Sequence, residues 1–284
     1  MKIDAHQHFW RYDPQRDSWI TPEMSMLRRN FLPADLAGDL RCNRIHASIA
    51  VQADQSEAET LFLLQLAQHN PEIAGVVGWV DLRSPALRDR LQYFSRFPKL
   101  RGFRHVVQAE PDDRFLLRDD FLRGVALLSE FGFTYDILIH QQHLPVAVEF
   151  ARRLPGQKLV LDHLGKPLIK SAEIREWSSQ IKAMGTLPNV HCKVSGLVTE
   201  AEWKKWTPAD FKPYLDVVFA AFGTQRIMFG SDWPVCLLSG SYASVTAIVE
   251  EYMSGFSQTD REAVFGLNAH GFYGLEVSRN GSAA

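Results

Sequence analysis

Cysteine is scarce and scattered. The chain of 284 residues has three, at Cys42, Cys192 and Cys236, and no two are spaced as a Cys-x-x-Cys pair. An odd, sparse set excludes a disulfide framework and a thiolate zinc site. Each reads as a small buried apolar residue rather than a nucleophile. An excess of charge of one sign is also missing: 31 Lys and Arg stand against 33 Asp and Glu, a formal net charge of -2. With no basic run, the chain has no electrostatic footprint for nucleic acid. No apolar stretch approaches the roughly 20 residues of a membrane span. The first residues enter an apolar segment without a charged-then-apolar leader. The expectation is a cytoplasmic protein with neither a membrane nor a nucleic-acid partner.

What is present is a regular alternation. The hydrophobic fraction is 46%, enough for one large core. Short β-branched runs predict strands at 2–9, 45–52, 73–82, 100–107, 133–139, 158–162, 190–195 and 226–230. Segments with apolar residues at helical spacing follow most of them, at 56–69, 86–94, 115–131, 145–154, 174–184 and 208–222. Alternating β and α predicts a parallel sheet, and eight units in this length favour a closed (β/α)8 TIM barrel. No composition break marks a second domain, so residues 1–284 read as one barrel. Helices at about 242–275, broken near Gly255 and Gly266, are expected to pack on it. Ser278 to Ala284 are small and polar and are expected to fray.

The residues with chemistry cluster at predicted strand ends, the active face of such barrels. His6 and His8 lie two apart on strand one and share a face. Two imidazoles so placed can hold a metal or an oxyanion. Arg104 and His105 end strand four, His163 follows strand six, and Asp232 follows strand eight. Closure makes strands one and eight neighbours, which would bring Asp232 beside His6 and His8. Each residue has an ordinary alternative: a surface ion pair for Arg104, a strand cap for His163, a helix or turn cap for Asp232. Gathered on one rim, they favour a functional site, where Asp232 could accept a proton from water or bind a metal.

The ordered blocks Ile3-Asp4-Ala5-His6-Gln7-His8-Phe9-Trp10, Arg101-Gly102-Phe103-Arg104, Leu161 to Pro167, Cys192 to Leu197, Gly230-Ser231-Asp232-Trp233-Pro234, Asn268-Ala269 and Phe272 to Leu275 resemble the amidohydrolase superfamily. More narrowly they are similar to its branch of sugar lactonases, of the L-fucono- and L-rhamnono-lactonase kind, and 2-pyrone-4,6-dicarboxylate lactonases. The resemblance spans residues 1 to about 275. It implies a distorted (β/α)8 barrel of amidohydrolase type that opens a lactone ring. Divalent metal would fall on His6, His8, His163 and Asp232. Strand four offers Arg104-His105 in place of the lysine or glutamate of binuclear members, and strand five is ambiguous between Asp136 and His140. The resemblance therefore implies one ion at most, zinc being the candidate, and members of this branch work without any.

The implied mechanism makes Asp232 the base toward water, with His6, His8, His163 and Arg104 holding the carbonyl oxygen. A pyrone dicarboxylate would demand several arginines, but only Arg104, with Lys193 or Lys166, is at hand. Trp10, Trp79 and Trp233, with His105 and His140, better suit a hydroxylated ring resting on aromatic faces. The expected small-molecule partner is a sugar lactone, opened to its aldonic acid. Competing expectations are a zinc-dependent decarboxylase, which would require tightly bound metal, and a non-catalytic sugar-acid binder.

Overall fold

The computed structural model describes residues 1–276; Ser278 to Ala284 lie outside them. Eight parallel strands are hydrogen-bonded in chain order: β1 Ile3–Gln7, β2 Ala47–Val51, β3 Ile73–Gly78, β4 Leu100–Val106, β5 Thr134–Leu138, β6 Leu159–Leu161, β7 Val190–Val194 and β8 Ile227–Phe229. The ring is completed at its mouth, just past β8. Gln7 bridges in parallel to Trp233, Asp232 N–H donates to the His6 carbonyl at 2.8 Å, and His8 N–H donates to the Trp233 carbonyl at 2.7 Å. The result is a (β/α)8 barrel with one irregular seam.

The helices are α1 Pro33–Cys42, α2 Glu57–His69, α3 Leu87–Phe94, α4 Asp119–Leu128, α5 Leu144–Arg153, α6 Arg175–Gly185, α7 Leu197–Glu200, α8 Pro208–Phe222, α9 Tyr242–Tyr252, α10 Gln258–Glu262 and α11 Asn268–Tyr273. They form by ordinary rules. Ser56 caps α2 by accepting the Glu59 N–H, and α4 buries Phe121, Val125 and Leu128 at helical spacing. The single helix expected over 115–131 is interrupted: a short turn at Phe115–Leu117 precedes α4 and another, Ser129–Phe131, follows it. The break expected near Gly266 is absent. Gly266 sits in a widened turn, Ala263–Leu267, that runs straight into α11, and a Cβ there would lie 2.2 Å from the Met1 carbonyl. That glycine permits close approach to the start of β1 rather than ending a helix. Cys192 and Cys236 are buried as expected, but Cys42, the last residue of α1, faces solvent.

Two apolar clusters result. The larger lies between the sheet and the helices. The smaller fills the barrel with Ile3, Ala5, Ala47, Ile49, Val51, Val160 and Met228, and is closed at the strands' N-terminal ends by Phe272, Tyr273 and Leu275. One detail of β1 sets up everything at the mouth. Between Asp4 and Gln7 the register against β2 shifts by one residue. This bulge flips the side-chain alternation. Below it, Ile3 and Ala5 point into the barrel and Asp4 points out, to the Tyr242 hydroxyl on α9 at 2.9 Å. Above it, Gln7 points out to Ser48, and His6 and His8 point in.

Candidate active site

At the mouth, His6, His8, His163 and Asp232 converge. Asp232 Oδ1 lies 3.3 Å from His8 Nε2, 3.8 Å from His6 Nε2 and 4.0 Å from His163 Nε2, and the Nε2 atoms of His6 and His8 are 3.2 Å apart. Each imidazole is braced from behind at Nδ1: His8 by the Val51 carbonyl at 2.8 Å, His163 by Ser195 Oγ at 2.9 Å, and His6 by Lys193 Nζ at 3.1 Å. His163 and Asp232 are both held at positive φ, 53° and 57°. Non-glycine residues avoid this region at a cost of about 1 kcal/mol or more, and such strain gathers at functional sites.

Burial would raise the Asp232 carboxyl, but the facing imidazoles of His163, His8 and His6 outweigh it and hold the acid well below the usual carboxylate range. Burial pushes His163 down to about 4 and lowers His6 well below its ordinary value. At neutral pH the cup therefore holds an ionised carboxylate beside the neutral imidazoles of His6 and His163.

Beneath the cup lies a buried ionic layer. Lys193 Nζ bonds Asp136 Oδ2 and lies 3.0 Å from Asp162 Oδ1. Arg104 Nη1 donates to Asp162 Oδ2 at 3.1 Å and approaches His6 Nε2 to 3.3 Å, while its Nη2 donates to the Gln52 carbonyl. Tyr273, rising from α11, donates its hydroxyl to Asp136 at 2.9 Å. Two cations and two carboxylates balance, which is the condition for burying any of them. Burial would raise Asp162, but Lys193 and His6 hold it well below its ordinary value.

Several residues expected at the site stand elsewhere. Lys193 lies within the barrel with no exposed surface, under the cup, and cannot touch a substrate. His105 alternates with Arg104 and faces outward, stacked on Phe115 at 4.9 Å, with Glu110 at its Nε2 and the Trp79 indole N–H at its Nδ1. Trp10 and Trp233 are sealed by Phe31 and the loop after β1, only 1% and 2% exposed, so neither offers a face to a ring. Trp79 and Lys166 are half-buried near the rim, and His140 is exposed beyond β5. The strand-five ambiguity resolves by position: Asp136 faces inward and joins the ionic layer. Asp162, Ser195 and Asp4 escaped sequence reasoning. Asp162 directly precedes His163, and its inward direction is set by β6 alternation two residues beyond Val160. Two clefts of about 250 and 550 Å³ open near the strands' N-terminal ends, lined in part by Arg101 and Lys158 or by Lys2 and Arg44, and contain none of the four cup residues.

The cup can hold a cation. A tetrahedral ion with nitrogen and oxygen donors at about 2.0–2.1 Å separates them by roughly 3.3 Å, close to the observed 3.2 to 4.0 Å spacings. His6, His8 and Asp232 lie close enough together to share one ion. The backing at Nδ1 is the outer support that orients metal-ligating histidines.

A parallel barrel with an ionised aspartate among histidines at its C-terminal mouth defines the protein as a barrel hydrolase. The chain belongs to the amidohydrolase family, whose model matches residues 3–275. It is 43% identical to an L-fucono-1,5-lactonase of Burkholderia multivorans, over 97% of this chain and 96% of that one. It is 34% identical to an L-fucono-1,5-lactonase of Burkholderia ambifaria, over 97% and 96%. A crystal structure of an amidohydrolase from Burkholderia multivorans with bound zinc superposes with a TM-score of 0.94 at 43% identity, covering 97% of this chain and all of the other. Among the described residues no helix is long and apolar enough to cross a membrane.

Proposed function

We propose that the protein hydrolyses a sugar lactone, an aldono-lactone of the L-fucono or L-rhamnono type, to the aldonic acid. The observation that carries this reading is the Asp232 carboxylate 3.3 Å from His8 Nε2, inside a cup that His6 and His163 complete. His8 in its neutral form gives its only proton to the Val51 carbonyl, so its Nε2 is an acceptor. A water between His8 and Asp232 meets an acceptor for each of its protons. Asp232 takes one as the oxygen attacks the lactone carbonyl. The tetrahedral intermediate's oxyanion is met by imidazole N–H donors, a stabilisation worth about a hundredfold or more in rate per donor. The ring C–O bond then breaks, and Asp232 returns its proton to the departing ring oxygen. A divalent ion, held by His6, His8, His163 and Asp232, would supply Lewis-acid polarisation of the carbonyl when bound.

The ionic layer favours a neutral substrate. The Arg104 guanidinium is 4% exposed and already bonded to Asp162 and Gln52, so it cannot also clamp the two carboxylates of a pyrone dicarboxylate. The relatives named L-fucono-1,5-lactonase support the same choice. The test is a pH-indicator assay over a panel of aldono-lactones, with and without chelator. Acid release above the spontaneous rate with hexono- or deoxyhexono-lactones is expected. Silence across the panel, metal-replete and metal-depleted, would overturn the reading. A decarboxylase would instead raise the pH and lose activity with its metal.

A further inference from the structure

Lys193 is a fully buried lysine that touches no substrate, yet its ammonium ends on a histidine of the cup. An ammonium has three donors and no acceptor. Its three neighbours here are Asp136 Oδ2, Asp162 Oδ1 at 3.0 Å and His6 Nδ1 at 3.1 Å. Of these, Asp136 Oδ2 and His6 Nδ1 are aligned to accept hydrogen bonds from the ammonium, while Asp162 Oδ1 is an ion-pair neighbour; facing a group that can only donate, His6 Nδ1 is the unprotonated nitrogen. The opposite edge of the same ring gives the same answer. His8 Nδ1 faces a carbonyl, an acceptor only, so neutral His8 presents a lone pair at Nε2. That lone pair stands 3.2 Å from His6 Nε2, a contact that requires a proton on His6 Nε2.

Two contacts argue the other way, and both are weaker. Asp162 Oδ1 is 3.3 Å from His6 Nδ1 without hydrogen-bond alignment, and Arg104 Nη1, which gives one N–H to Asp162 Oδ2, turns the other toward His6 Nε2 at 3.3 Å, longer than the Lys193 and His8 contacts of 3.1 and 3.2 Å.

We propose that Lys193 is a positioning residue that holds His6 with its proton on Nε2, aimed into the cup. Resting on the lactonase reading of this site, the inference makes His6 a hydrogen-bond donor to the lactone carbonyl in the cation-free protein. A divalent ion can take His6 as a ligand only by displacing that proton and drawing up beside the buried ammonium. Lys193 thereby biases the cup toward chemistry without metal.

The test is ¹⁵N NMR of the His6 ring in the metal-depleted protein, assigned by comparison with His6→Gln, together with zinc-binding calorimetry of wild type, Lys193→Arg and Lys193→Met. Wild type and Lys193→Arg are expected to show a protonated Nε2. Lys193→Met is expected to move the proton to Nδ1, facing Asp162, and to bind zinc about tenfold or more tightly, the scale on which groups behind a ligand alter metal affinity. A wild-type His6 protonated at Nδ1 overturns the proposal whether or not Lys193→Met folds. So does a folded Lys193→Met with wild-type zinc affinity. None of these readouts depends on turnover, so a protein inactive on every lactone would still decide the tautomer.

Discussion

Asp232 combines a positive-φ backbone, a buried carboxylate and three facing imidazoles, the setting in which the proposed mechanism makes it the base. Replacing it by asparagine keeps the shape and hydrogen-bonding capacity but removes the proposed base. Asp232→Asn is expected to lower kcat by about 10³, within the range for a lost general base, while the thermal unfolding midpoint shifts by only a few degrees. Steady-state assays beside thermal melts check this, and near-normal turnover would remove Asp232 from the mechanism. The pairing of Asp232 with His6 and His8 was legible because closure of an eightfold barrel is a strong topological rule. The aromatic shelf was not. Trp10 and Trp233 adjoin the site motifs in sequence, but the loop after β1 folds Phe31 between them, and nothing local announces that a neighbouring tryptophan is core.

Among the elements, β1 is decisive because it changes parity partway. Asp4 turns outward and accepts from Ser231 N–H at 2.9 Å, Ser231 Oγ and the Tyr242 hydroxyl at 2.9 Å. It is the clasp between the first strand and the chain that carries Asp232. Tyr242→Phe is expected to destabilise the protein by about 1–3 kcal/mol, the cost of a lost hydrogen bond to a buried charged acceptor, measured by denaturant titration; no change would mean the clasp does not need α9. The alternation rule placed His6 and His8 on one face but could not reveal the bulge, which depends on the register with β2.

Helix α2 carries a second element-scale test. Glu59 is buried, accepts the Ala53 N–H, and faces Arg16, Asp54 and Asp17. Burial raises its carboxyl from 4.5 to about 7. The folded state then keeps a proton that the unfolded chain has lost, so Glu59 makes stability fall as pH rises from about 4.5 to about 7. Glu59→Gln removes that slope. Relative to wild type the variant should gain with pH, approaching roughly 3 kcal/mol at pH 8. A difference that stays constant from pH 5 to pH 8 would contradict the assignment.

For the whole molecule, the architecture was legible because it follows from the βα alternation, whereas the ionic layer was not, because its members come from β4, β5, the residue just past β6, β7 and α11 and meet only inside the closed barrel. Its lowest member joins the barrel floor to the mouth. Tyr273 hydrogen-bonds Asp136, Asp136 pairs with Lys193, and Lys193 reaches His6. Burial raises the Asp136 carboxyl, and Lys193 and Tyr273 work against that rise. Tyr273→Phe deletes one donor while keeping the ring that helps fill the floor. Asp136 then relies on Lys193 alone, at an expected cost of about 1–3 kcal/mol. Lys193 still has Asp162 as a second carboxylate partner, so its ammonium should remain under His6. The variant should therefore unfold a few degrees lower yet retain kcat within about twofold at 25 °C. Melting curves and steady-state rates on one preparation separate the outcomes: a collapse of kcat with an unchanged midpoint would mean that the floor hydroxyl positions His6 as strictly as Lys193 does, and that the chain from α11 to the cup acts as a single unit.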